Sequence, residues 1–252
     1  MKKILTILAI AGITTRLAAQ AETEIQVYAS PTTAPGQTMF ELHSNYTFSG
    51  SHYLTNAKSA RWTNESLEIT HGFGKNTEIG LYFFTGLAPD GSYQYLGNHI
   101  RPRVTAPDSW KLPVGLSLSV EFGFIRADRH SDFIWEGEIR PIIDKSAGPW
   151  YFSLNPNLAY VLSGPEKGVS FGPQFKTVYT AGGKIGMGIE YYSDYGEIGR
   201  FLPGKFQEHL LGPAIDLYLD PKWEINTALL LGLTENSNHT VLKILLGRRV
   251  GK

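Results

Sequence analysis

Val114 to Arg126, VGLSLSVEFGFIR, alternates along its length. Leu116, Leu118, Val120, Phe122 and Phe124 share one parity, and Gly115, Ser117, Ser119, Glu121 and Gly123 share the other. A strand turns successive side chains to opposite faces, so this segment predicts a strand with one apolar face and one small, polar face carrying a carboxylate. The same period of two recurs in segments of about ten residues bounded by turn residues, the rhythm of transmembrane strands. It predicts strands near 38–48, 66–73, 77–85, 94–105, 114–126, 132–144, 150–162, 169–180, 184–192, 206–219, 223–233 and 239–249. Gly74-Lys75-Asn76, Lys145 to Pro149, Ala181-Gly182-Gly183 and Asp220-Pro221-Lys222 are tight turns between them. Ser49 to Glu65, Gly86 to Tyr93 and Ser193 to Lys205 are longer links. Long links mostly follow odd strands and tight turns even ones, as in an up-and-down outer-membrane barrel. The link from Ala106 to Pro113 is longer than that alternation expects.

Charge follows the same parity. Glu41, His43, Glu68, Arg101, Arg103 and Glu121 lie opposite the bulky apolar positions of their strands. So do Glu136, Glu138, Arg140, Lys176, Glu190 and Glu224. Two-faced strands fit either a soluble sandwich or a membrane barrel. Large apolar faces on every strand, and aromatic residues near strand ends such as Tyr46, Tyr93, Trp150, Tyr191 and Trp223, favour the barrel. The expected fold is all-β: an antiparallel transmembrane β-barrel of about twelve strands. The twelve charged and imidazole residues named above are its candidate lumen lining. Pro102, Pro141, Pro156, Pro173 and Pro213 fall inside these strands on the outward parity, where bulges or bends are expected.

The first residues, MKKILTILAIAGITTRLAAQAETE, carry Lys2 and Lys3, an apolar run from Ile4 to Ile13, and Ala19-Gln20-Ala21. That is the layout of a secretory signal peptide. The expected organisation is a signal peptide over 1–21, a periplasmic N-terminal segment over 22–37, and a barrel over 38–252. Cleavage after Ala21 takes away Lys2, Lys3 and Arg16 and no acid, leaving 20 basic against 23 acidic residues. A net charge of −3 argues against a nucleic-acid partner. Cysteine is absent, so disulfides contribute nothing. The expected location is the outer membrane of a Gram-negative bacterium, with membrane lipid and the outer-membrane assembly machinery as partners.

The phrases FELHSNYTFSGS, LEITHGFGKNTEIGLYFF, EIRP, LNPNLAY and KILLGRRV, with the strand rhythm, resemble uncharacterised Gram-negative outer-membrane barrels grouped as MetA-pathway phenol-degradation transporters. The resemblance implies a barrel that handles small hydrophobic or aromatic solutes, and it carries over no catalytic residue.

Candidate chemistry is sparse. His130 and Ser131 are adjacent and would point oppositely on a strand, so the Asp128 to Asp132 cluster reads as a solvated turn and not as a catalytic group. No HExxH or P-loop pattern occurs. Glu41 and His43 offer two ligands where a metal needs three or more, so a lumen hydrogen-bond network with Asn45 is expected there. No metal, cofactor or enzymatic activity is expected. The lumen charges either line a narrow passage or pair with one another to plug a small interior. The excess of acids favours the passage. The expected function is a narrow channel or passive uptake protein for small solutes. The alternatives are a surface-binding barrel working through the loop from Ser49 to Glu65, with Tyr53, Arg61 and Trp62, and, third, a membrane-embedded lipid hydrolase.

Overall fold

The computed structural model describes residues 23–51, 60–164 and 167–251. The expected signal peptide and Tyr53 lie outside the described residues. The strands are β1 (Thr38–Ser49), β2 (Trp62–Gly74), β3 (Thr77–Leu87), β4 (Tyr93–Thr105), β5 (Gly115–Ile125) and β6 (Ile134–Ala147). They continue with β7 (Trp150–Val161), β8 (Gly168–Ala181), β9 (Ile185–Asp194), β10 (Glu208–Leu217), β11 (Trp223–Gly232) and β12 (Thr240–Val250). Each pairs antiparallel with its chain neighbours, and β12 returns to β1, from Thr38 opposite Val250 to Thr47 opposite Val241. The sheet is a closed barrel with no free edge. The long link after β4 holds a short 3-10 turn, Asp108–Trp110, at the end where the other connections are tight.

β2 begins four residues earlier than the sequence pattern predicts. Trp62 therefore belongs to the wall and not to a binding loop: it points inward, is buried, and its Nε1 donates to Asn64 Oδ1 at 2.8 Å. Arg61, beside it, is exposed with a φ of 56°.

The prolines do not produce the expected bulges. Register shifts fall elsewhere, at Thr47/Ser49, Gly72/Gly74 and Phe84/Thr85. At each proline the ladder pauses on one side of the strand without slipping. It pauses between Ile100–Phe122 and Arg103–Ser119 beside Pro102, and between Leu211–Leu231 and Ala214–Ala228 beside Pro213. Pro141 and Pro156 share one pause, between Ile139–Leu158 and Ile143–Leu154. Beside Pro173 the β8–β9 ladder starts only at Phe175–Tyr191, and Ser193 Oγ donates to the Pro173 carbonyl at 2.6 Å. A missing donor removes one rung, and the rungs on either side hold the register.

The outer face is an apolar belt to which every strand contributes. Leu42, Leu67, Phe83, Ile100, Leu118, Ile139, Leu154, Val169, Ile189, Ile215, Leu229 and Ile244 are all exposed. A soluble monomer does not carry so large a contiguous patch, whereas hydrocarbon demands one.

Residues 23–35 depart from the expected periplasmic position and thread the barrel. Pro35 forms a parallel bridge with Gly72 at the tight-turn end. Gly72 is required there, because a Cβ would lie 2.3 Å from the carbonyl oxygens of Thr33 and Ala34. From this point the segment runs up the lumen to Thr23, whose carbonyl accepts from Ser66 Oγ at 2.7 Å and Asn45 Nδ2 at 3.4 Å.

An arginine at the centre of the belt tests its environment. Leu42→Arg is expected to weaken folding into lipid vesicles by about 2–4 kcal/mol in a denaturant titration. A loss below about 0.5 kcal/mol, ordinary for a water-facing position, would place this face outside the hydrocarbon.

Candidate functional site

The lumen is built around the extended segment from Thr23 to Pro35. A lone strand has no ladder, so its backbone groups need partners from the wall. Inward side chains supply them. Asn155 accepts from the Tyr28 N–H at 2.7 Å, while Ser153 Oγ at 2.6 Å and Asn155 Nδ2 at 3.1 Å donate to the Tyr28 carbonyl. Asp144 accepts from the Ser30 N–H and from Ser30 Oγ, both at 2.7 Å. Gly115 makes room for this contact, since a Cβ would meet Asp144 Oδ1 at 2.0 Å and Ser30 Oγ at 2.1 Å. Arg103 donates to the carbonyls of Ala29 at 3.0 Å and Pro31 at 2.9 Å, and Arg140 to that of Gln26 at 3.1 Å. Glu78 accepts from the Thr33 N–H at 2.5 Å.

The opposite flank of the segment is apolar. Ile25 and Val27 pack on Tyr192, Leu210, Ala214, Ala228, Leu230 and Val241, a stripe on the inward face of β9 to β12. The lumen therefore has a polar half that holds backbone and an apolar half that holds side chains.

The structure places Glu41, His43, Glu68, Arg101, Arg103, Glu121, Glu136, Glu138, Arg140, Lys176 and Glu190 inward and buried. Glu224 sits at the rim, half-buried, 2.6 Å from Arg249. Most of the buried charges are paired. Arg101 binds Glu68 and, at 3.1 Å, Glu78; its Nε donates to Tyr82 Oη at 2.8 Å. Arg103 Nε lies 2.8 Å from Glu78, and Arg140 Nη2 donates to Glu138 at 2.9 Å. Lys176 reaches Glu190 at 3.2 Å and Asp216 at 2.8 Å. His99 Nδ1 lies 2.6 Å from Glu121.

Glu41 and Glu136 have no ion pair among the described residues. Nor does the expected hydrogen-bond network form at His43. Its ring is 1% exposed and neither nitrogen has a hydrogen-bond partner; Glu68 Oε2 stands 3.6 Å away. A buried polar group left in this state costs about 1–3 kcal/mol.

Sequence reasoning missed Lys243, which is buried and binds Glu190 at 2.8 Å and Tyr192 Oη at 3.0 Å. The alternation Leu242-Lys243-Ile244 carried the parity signal for it. It also missed Glu24, Asp144 and His99, of which Glu24 belongs to the threaded segment itself. His130 is exposed on a turn where the His130 N–H and Ser131 Oγ both donate to Asp128. This is a self-capped loop and not a catalytic arrangement.

Two spaces flank the threaded segment. At the tight-turn end a vestibule of about 520 Å³ is lined by Tyr28, Met39, Glu41, Arg103, Tyr151 and Trp223, among others. At the other end a cavity of about 30 Å³, one or two waters in size, lies among Glu24, Asn45, Tyr192 and Asn238.

These features define a closed twelve-stranded barrel whose lumen is occupied by its own N-terminal segment. An outer membrane channel from Pseudomonas putida F1 is similar in fold, with a TM-score of 0.66, 13% identity, and 90% of this chain and 100% of that chain covered. The KdgM porin in complex with disordered oligogalacturonate aligns with a TM-score of 0.52 at 11% identity over 83% of this chain and 98% of its own. The translocator domain of the autotransporter NalP from Neisseria meningitidis gives 0.52 at 10% identity, covering 87% and 90%. No family model matches the chain, and no curated protein matches it. The likeness thus extends to the barrel fold, and the narrower resemblance to the MetA-pathway transporters is not confirmed.

Arg103→Ala removes two of the donors that hold the segment. Peptides spanning residues 24–35 are expected to exchange amide hydrogen at least about tenfold faster by mass spectrometry, the equivalent of about 1.4 kcal/mol.

Proposed function

We propose that this protein is a Gram-negative outer-membrane channel for passive entry of small solutes, hydrophobic or aromatic in class. The observation that carries the reading is the lumen itself, with an apolar stripe, a vestibule of about 520 Å³ and a single threaded segment beside them. The lipid-suited exterior fits that location, and so do the similar folds of an outer membrane channel and a porin. A wide aqueous pore does not fit, because paired side chains and the threaded segment fill the interior. The inward residues Leu210, Ala214, Ala228 and Leu230 offer an uncharged surface to an apolar solute once Ile25 and Val27 withdraw. The reading is of a channel and assigns no catalytic residue. Export through cleavage after Ala21, and insertion by the outer-membrane assembly machinery, belong to the same proposal.

Planar bilayer recording tests it. The wild-type barrel is expected to show small conductance steps, and a variant lacking residues 23–35 steps several times larger. Uptake of a small aromatic solute into vesicles should follow the same order. A deletion variant that folds, shown by heat-dependent gel mobility, and yet neither conducts nor transports would overturn the reading.

A further inference from the structure

We infer that Glu41, His43 and Glu68 form a binding site for a divalent metal ion of the zinc class on the lumen wall. The strand pairing brings them together. Glu41 on β1 lies directly opposite Glu68 on β2, and His43 is the next inward residue on β1. One ligand atom from each falls within 4.8 Å of the other two, and all three residues are buried. The His43 Nε2 to Glu68 Oε2 separation of 3.6 Å is close to the span of about 3.4 Å between two ligands on a tetrahedral ion at about 2.1 Å.

The unpartnered atoms are the independent observation. Both ring nitrogens of His43 and the Oε2 of Glu68 are buried without a hydrogen bond; Nε2 and Oε2 face each other across 3.6 Å, too far to bond directly, and Nδ1 meets no partner. Arg101 does not fill this place. Its guanidinium is committed to Glu68 Oε1, Glu78, Thr70 and Tyr82, and it holds the Glu68 carboxylate with Oε2 turned toward His43. A residue that fixes the orientation of a ligand in this way is a usual outer-shell partner of a metal site. Glu41 lines the vestibule, so an ion reaches the site from the tight-turn end.

One imidazole and two carboxylates select the metal class. Calcium and magnesium take all-oxygen shells, and copper(I) takes sulfur; nitrogen with carboxylate oxygen suits zinc and its neighbours. Three protein ligands leave a further position open to the vestibule. The site stands apart from conduction, so its test does not depend on whether the barrel is a channel.

The full barrel, stripped with chelator in detergent, is titrated with Zn²⁺ by equilibrium dialysis. One zinc per chain is expected, undisturbed by excess Ca²⁺, and its absorption edge should show scattering from a single imidazole. His43→Gln and Glu41→Gln should each weaken binding by about tenfold or more while keeping heat-dependent gel mobility. The assignment is overturned if the wild type takes up no stoichiometric zinc, if Ca²⁺ displaces it, or if both variants retain wild-type affinity. If a variant fails to fold, the imidazole signature in the wild type decides the matter alone.

Discussion

Hydrocarbon offers no hydrogen bonds, so a wall placed in it must satisfy every backbone group from within. Closure of β12 onto β1 meets that demand, and it also explains where the prolines can stand. Along a strand, the side-chain direction and the side toward which the N–H points alternate together. In this barrel the outward residues of even strands address the following strand, and those of odd strands the preceding one. The pauses beside Pro102, Pro141, Pro156, Pro173 and Pro213 accordingly fall on β4–β5, β6–β7, β8–β9 and β10–β11. In three of these four pairs the two strands are joined by a turn of five residues or fewer, which holds the register across a lost rung.

The same demand shapes the lumen. A single extended chain threaded through a barrel carries a full complement of unpaired N–H and C=O groups. Asn155, Ser153, Asp144, Arg103, Arg140 and Glu78 take the place of a neighbouring strand by offering side-chain atoms to that backbone. Of the two readings open at the level of sequence, a lined passage and a charge-paired plug, the structure shows the pairing. The charges pair with one another and also dock a peptide, and the vestibule remains beside it.

The fold was legible because barrel strands obey a binary rule: one face meets lipid, so parity is written into nearly every residue. Strand ends moved by a few residues, as at Trp62, where an inward aromatic resembles loop composition. The inward placement of most predicted charges was legible for the same reason. The position of residues 23–35 was not. AETEIQVYAS alternates like a strand, but no periodicity says which surface a strand will meet, and Asn155 and Asp144, which accept from the Tyr28 and Ser30 N–H groups, lie more than a hundred residues away. The apolar inward residues Leu210, Ala214, Ala228 and Leu230 were the missed sign, since a lumen lined in part by leucine needs something to cover it. His43 shows the opposite limit. Sequence supplied two ligands, and only the β1–β2 register brought Glu68 opposite Glu41 as the third.

Affinity and position are divided between the two halves of the lumen. Buried ion pairs such as Arg101–Glu68 and Lys243–Glu190 roughly break even against apolar side chains of equal size, because desolvation offsets attraction. They add little net hold on the threaded segment. The height of the segment is fixed instead by Asn155, Ser153, Asp144, Arg103, Arg140 and Glu78, whose backbone contacts are each met at only one register. Attraction on the other flank comes from burial of Ile25 and Val27, about 1.5–3 kcal/mol each, beside the hydrogen bonds that the charged wall residues make to the backbone. Two anchors of that size hold a peptide in place under ordinary conditions, yet they amount to a small part of the stability of a closed barrel. The occupant is therefore held on two flanks of different kind, apolar side chains on one and register-specific polar contacts on the other, and release from the lumen requires both to be given up together.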